Sequence, residues 1–285
     1  MKRITAIAAA LLLAAPPALA ESTRYGLDAE LTHDDNASRG LYDADRKADN
    51  ILSLEGSATR SLLLGPRSGA VFRAAARYSQ YLEFKDLSNL ALSGRAAWRV
   101  QPGLEFNSPF FEIAGSLAWL RHSDSELRDG TIVSLEASTG SHVTDRVRLG
   151  AGLGLDRREG GGTAGLYDLS TTRLWATMDY RFGVRNTAYA RLQHVAGDHV
   201  FCSITVSGLS PVWEPDQALA SGLGRFADCY RLDAKTLSWD IGLNYPLSGT
   251  RALDFALTSY SSKSDAGGLK YDGMLLRASY LYRFQ

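Results

Sequence analysis

The sequence predicts an all-β chain: a 12-stranded antiparallel transmembrane β-barrel that follows a cleaved signal peptide. Three observations carry this. Beyond residue 20 the apolar residues recur with period two, not 3.6. The alternating runs are mostly about 10–16 residues long, where soluble strands stop near 5–6 and a tilted membrane strand needs about 9–11. The links between runs are alternately short and long, as in barrels with short turns at one rim and loops at the other.

Residues 1–20 read as an address. Lys2 and Arg3 form a basic start, residues 4–15 are almost wholly apolar, and Ala18-Leu19-Ala20 gives a small-x-small cleavage pattern. The apolar run is shorter than the ~20 residues a spanning helix needs. The predicted barrel then occupies residues 21–285. An exported chain permits a disulfide.

The runs follow in order. The first, 23–33, alternates Tyr25, Leu27, Ala29 and Leu31 with Gly26, Asp28, Glu30 and Thr32. Runs 50–64 and 70–84 flank the turn-forming Gly65-Pro66-Arg67-Ser68-Gly69. Run 88–101 sets Leu90, Leu92, Trp98 and Val100 against Ser93, Arg95, Arg99 and Gln101. Runs 109–122 and 131–143 follow, and Thr144-Asp145 leads into 146–157, where Val147, Leu149, Leu153 and Leu155 alternate with Arg148, three glycines and Asp156. Runs 167–182 and 187–198 turn at Gly183-Val184-Arg185-Asn186. Runs 230–246 and 251–262 turn at Leu247-Ser248-Gly249-Thr250, and 270–284 ends the chain. Link 102–108 is only a little longer than these turns, and the intervening links, 34–49, 85–87, 123–130, 158–166, 199–229 and 263–269, tend to be longer and more polar, with 85–87 the exception. An even strand count with long loops outside puts both termini in the periplasm of a bacterial outer membrane. Trp98, Phe111, Tyr180, Phe182, Tyr245, Tyr282 and Phe284 fall near one rim, and Tyr78, Phe84 and Trp119 near the other, as paired aromatic girdles. Arg60, Arg121 and His194 fall on the outward phase near strand ends, where a long side chain snorkels or a bulge shifts the phase.

Tyr280, Tyr282 and Phe284 resemble the C-terminal signal of bacterial outer-membrane barrels, displaced by one residue because Gln285 follows. The resemblance implies handling by the barrel-assembly machinery through these three residues. The pattern is also similar to small porins. Asp34-Asp35-Asn36 at the top of the first strand resembles surface-lipoprotein-assembly and exopolysaccharide-export barrels, which implies an export partner.

The inward phase is charged. Its acids are Asp28, Glu30, Glu55, Glu83, Glu112, Glu136, Asp156, Asp179, Asp240 and Asp254. Its bases are Arg73, Arg77, Arg95, Arg99, Arg148, Arg181, Arg191, Arg277 and Arg283. The lumen is thus near neutral, which predicts no strong ion selectivity. The pore-lining candidates are Arg73, Arg77, Arg95, Arg99, Glu112, Glu136, Asp179, Arg191, Asp240 and Asp254. Hairpin geometry puts Glu112 near Arg99, Asp179 near Arg191, and Asp254 opposite Asp240. The arginine–carboxylate pairs either steer polar solutes or simply stabilise neighbouring strands; Asp254 with Asp240 is either a paired-carboxylate site or is neutralised by Arg277 or Arg191.

Cys202 and Cys229 bracket the longest link and predict a disulfide. Its closed loop of 28 residues, both ends counted, is worth roughly 3–4 kcal/mol in the chain-entropy account. Between them Ile204, Val206, Leu209, Val212, Trp213, Leu219, Leu223 and Phe226, with Pro211 and Pro215, are too apolar for a solvated loop. The reading taken is that this link folds into the mouth and constricts it; a docking surface is the alternative.

Equal numbers of basic and acidic residues, 31 each, argue against a nucleic-acid partner. No catalytic residue, metal ligand set or cofactor is assigned. His122-Ser123-Asp124 has the residue types of a hydrolase, but neighbours on a strand point to opposite faces. His142 faces inward near Ser138 without an acid. The acids of the first link, Asp34 to Asp49, lack regular calcium-loop spacing and read as a solvated loop. The functional expectation is an outer-membrane channel or facilitator for small polar solutes, surrounded by membrane lipid and lipopolysaccharide. An assembly or export barrel is the alternative, and an outer-membrane hydrolase a second one.

Overall fold

The computed structural model describes residues 23–204, 208, 212–265 and 268–284. The expected signal peptide lies outside the described residues, as do Val206, Leu209, Pro211 and Gln285.

The strands in chain order are β1 (Arg24–Asp34), β2 (Asp49–Gly65), β3 (Ser68–Tyr81), β4 (Asn89–Val100), β5 (Phe110–His122), β6 (Gly130–His142), β7 (Val147–Gly160), β8 (Leu169–Phe182), β9 (Asn186–Ser203), β10 (Trp213–Asp216), β11 (Ala227–Pro246), β12 (Arg251–Ser264) and β13 (Lys270–Phe284). All except β10 form a closed 12-stranded antiparallel barrel in which sequential strands are neighbours. The ring shuts where β1 pairs with β13, Tyr25 facing Phe284, and where β9 pairs with β11. Short β10 adds to the edge of β11 beyond the barrel.

The burial pattern is inverted relative to a soluble sandwich. Leu153 on the outer face of β7 is 49% exposed, whereas Glu112 on the inner face of β5 is 8% exposed. Exposed Leu27, Leu54, Ile113, Leu135, Leu174, Ile241 and Leu276 continue the outer band around the ring. An apolar exterior with a polar interior is the arrangement a barrel needs in lipid, where closure also leaves no backbone edge unpaired. At the rim of short turns Trp98, Phe111, Tyr180 and Tyr245 are exposed. There Tyr25 stacks on Phe284 at 5.7 Å and Tyr282 on Phe284 at 5.4 Å.

Two boundaries differ from the periodic reading. β3 stops at Tyr81 although the alternation runs on to Phe84. The Asp49 carboxylate accepts N–H bonds from Leu82, Glu83 and Phe84 at 2.9–3.1 Å, and that turns the chain out of the strand. Phe84 is therefore fully buried among the loops and belongs to no girdle, and Glu83 lies outside the lumen wall. β9 and β11 instead run farther than expected, into the 199–229 link, and Cys202 faces Cys229 across their ladder. Arg60 (opposite Phe72), Arg121 (opposite Leu90) and His194 (opposite Leu174 and Leu237) keep the outward phase; the register break in β2 comes later, between Leu63 and Gly65.

Candidate functional site: a charged lumen under a loop lid

Arg77 on β3 and Tyr189 on β9 line one cavity of about 310 Å³, together with Glu30, Glu55, Asp254 and Arg277. In the ring order β3 and β9 are diametrically opposed. The cavity is therefore the barrel interior, and the charged face of each strand looks into it.

Alternating charges run around this wall. Arg77 reaches over β2 to Glu30 at 2.5 Å, and Arg73 bonds Glu55 at 2.5 Å. Arg73 stands directly opposite Arg95, a juxtaposition unfavourable by itself. Each is turned to a carboxylate on its other side. Glu112 takes both Arg95 at 2.8 Å and Arg99 at 2.7 Å. Glu136 continues the chain to Arg95 at 3.6 Å and Arg173 at 2.8 Å. Arg173 also bonds Asp156 at 2.9 Å. On the far wall Asp254 accepts from Tyr189 Oη at 2.8 Å and pairs with Arg277 at 3.5 Å. Asp240 faces Arg191 across one ladder and accepts from Thr258 across the next.

The expected Glu112–Arg99 pair is present. Two others are not. Asp179 faces Tyr189, and Arg191 bonds Gln193 at 2.7 Å beside the Trp175 ring. The β8–β9 turn comprises Gly183, Val184 and Arg185, with Phe182 facing Asn186, so it is shorter than the four-residue turn read from sequence and the partners shift. Asp254 faces Asn244, while Asp240 faces Thr258. Arg173 was legible as an inward residue in phase with Asp179 but was not singled out. It joins β6, β7 and β8 in this network.

The long-loop mouth is covered. Phe84, Leu87, Leu166, Tyr167, Leu219 and both cysteines form one buried apolar cluster, drawn from loops around the ring. Phe201, Tyr230 and Leu232 form a second, against Leu41, Leu269 and Tyr271. The Phe84 ring packs at Gly222, so the 217–223 segment reaches across the mouth to the opposite wall. Polar ties fix it. Asp216, fully buried, accepts from Arg128 Nε at 2.7 Å, Tyr167 Oη at 2.7 Å and the Ala218 amide at 3.0 Å. Burial pushes the Tyr167 phenol up, so it stays protonated and donates. Cys202 and Cys229 form a disulfide at the base of this lid. Trp213 and Phe226 remain exposed.

The first loop is not a solvated acidic loop. Asp34, Asp45 and Asp49 are buried. Asp34 pairs with Arg39 at 2.9 Å, and Asp45 accepts from Ser203 Oγ at 2.9 Å and the Ile204 amide at 3.0 Å. Arg39 also donates to Tyr260 on the inner face of β12, so this loop folds down into the mouth. Its carboxylates staple loops together. The His122 backbone amide donates to Asp129, which stands beside it in place of Asp124, and His142 packs on Phe106 at 4.9 Å rather than beside Ser138.

A scan against known protein families finds no match, and a search of curated proteins finds none. Solved structures do resemble the chain. An outer-membrane channel from Pseudomonas putida F1 is 12% identical, with 95% of this chain and 99% of that one covered and a TM-score of 0.58. KdgM porin in complex with disordered oligogalacturonate is 9% identical over 91% and 99% of the two chains, with a TM-score of 0.47. NanC porin is 9% identical over 90% and 98%, also at 0.47. The first likeness spans nearly the whole of both chains, and it shows a shared fold, the closed β-barrel of that outer-membrane channel.

Proposed function

We propose that this protein is an outer-membrane channel or facilitator for small polar solutes, gated at its long-loop mouth by the disulfide-based lid. The observation that carries the reading is the lumen wall. Its ring of paired arginines and carboxylates surrounds a polar cavity between opposite walls. Such a wall favours hydrated solutes, and its near balance of charge suits weak intrinsic ion selectivity. The pore-lining set is then Arg73, Arg77, Arg95, Arg99, Glu112, Glu136, Asp179, Arg191, Asp240 and Asp254. The likeness to a Pseudomonas putida outer-membrane channel is consistent with this. In this reading the long loops face outside, the termini face the periplasm, lipopolysaccharide surrounds the outer half, and Tyr280, Tyr282 and Phe284 engage the assembly machinery.

The test is single-channel recording of the folded mature protein in a planar bilayer. The expected result is discrete openings that grow when the lid is loosened. Silence from both wild type and lid variants, with a heat-modifiable folded band on gels, overturns the channel reading. That outcome favours an export or assembly barrel, for which the covered mouth is the supporting observation.

A further inference from the structure

The pairing of arginines with carboxylates along the described lumen wall thins out at the short-turn rim. Elsewhere on the wall Arg73, Arg77, Arg95, Arg99 and Arg173 each touch a carboxylate. At the short-turn rim, between β6 and β9, they give way to a recess of about 150 Å³ lined by His142, Arg146, Arg148, Asp179, Arg181 and Thr187. Three guanidiniums converge there, with Asp179 the single carboxylate among the lining residues. Arg146 has a further acid at 4.0 Å, Asp145, but that pair is mostly exposed and screened.

The arrangement is held in place. His142 faces Arg148 and Arg148 faces Asp179 across successive ladders. The Arg148 guanidinium lies 5.0 Å from the centre of the Phe110 ring, and Arg99 covers the same ring at 4.4 Å. Arg99 pairs with Glu112 at 2.7 Å, whereas the three recess arginines have one carboxylate, Asp179, among the lining residues. Crowded like charges are unfavourable until an anion joins them. The space exceeds the roughly 30 Å³ of one water. Guanidinium forks match the planar oxygens of a carboxylate or the face of a phosphate.

We propose that this recess binds the anionic group, carboxylate or phosphate, of an acidic solute at the short-turn mouth. The assignment of that solute as cargo rests on the channel reading; the anion site stands on the recess itself.

The experiment is titration calorimetry of the folded mature protein at low salt, with glucuronate and inorganic phosphate as probes and glucose as the neutral control. Binding of either anion without glucose supports the site, and the stronger of the two identifies its group. The double variant Arg148→Gln/Arg181→Gln is expected to weaken it at least tenfold. Asp179→Asn is expected to tighten it severalfold, a gain that a misfolded barrel would not give. Arg157→Gln, on the outer face by Glu159, is expected to leave binding unchanged. No anion binding, or binding indifferent to the arginine and Asp179 variants, overturns the proposal. The preferred anion is then added to the short-turn side of a bilayer. Current reduction joins site to cargo, whereas a bilayer that stays silent with both wild type and lid variants, with calorimetric binding intact, defeats the channel reading and leaves the site standing.

Discussion

Arg128 Nε sits 2.7 Å from Asp216 Oδ2, and the two residues come from different loops of the mouth. Asp216 is fully buried and also serves Tyr167. Removing one member of such a pair strands the other charge away from water, at a cost of about 3–5 kcal/mol. Asp216→Ala is therefore expected to free the lid while the barrel stays closed. Its readouts are faster proteolytic nicking between residues 204 and 226 and larger single-channel conductance. Unchanged nicking would show that the pair does not hold the lid.

Gly222 is a second point of contact in the closure, packed against Phe84. A β-carbon there would lie 2.3 Å from the Phe84 ring, which is itself completely buried. Gly222→Val is expected to displace the ring, with an overpacking penalty of about 1–3 kcal/mol. Conductance should rise as with Asp216→Ala. Phe84→Ala in the same background should restore closure in part, because it makes room. A double-mutant cycle in lid proteolysis measures that rescue.

Reduction of the disulfide is expected to do less than its place suggests. Cys202 and Cys229 are already partners in the β9–β11 ladder, and Asp45 and Asp216 tie down the same segment by other bonds. Cys202→Ser/Cys229→Ser should leave conductance within about twofold of wild type, less than the Asp216→Ala gain. A larger jump on reduction alone would make the disulfide the principal latch.

Glu112 is the carboxylate shared by Arg95 and Arg99. Glu112→Gln removes one negative charge from a nearly balanced wall and leaves two guanidiniums less compensated. The reversal potential in a potassium chloride gradient is expected to move toward anion preference. Arg95→Gln should move it the other way. Shifts of the same sign in both variants would place these groups away from the conduction path.

Period-two patterning located all twelve barrel strands to within a few residues, because one face must meet lipid and the other must not. Charge pairing was less legible. A hairpin partner depends on the residue count of its turn, so misreading the turn after Phe182 gave Asp179 the wrong neighbour. The lid was legible in composition, through Leu219, Leu223 and the cysteines. Its anchors were not. Asp45 and Asp49 read as acids of a solvated loop and Asp216 was not singled out, and only tertiary packing reveals that each accepts bonds from segments distant in sequence. Phe84 was misplaced for the same reason: local alternation continued, but a carboxylate 35 residues away bent the chain.

The meeting of Tyr25 with Phe284 bears on how the molecule comes together. Most ladders join segments linked by a short turn or loop and can zip locally. The β1–β13 seam instead brings the two ends of the described chain side by side, so its loop-closure entropy is the largest of any ladder. Topology of this kind makes the seam the slow step of assembly. Until it shuts, the nascent sheet has two bare edges open to other chains. Loss of the last strand would therefore leave a permanently unzipped sheet, prone to aggregate, rather than a slightly narrower pore.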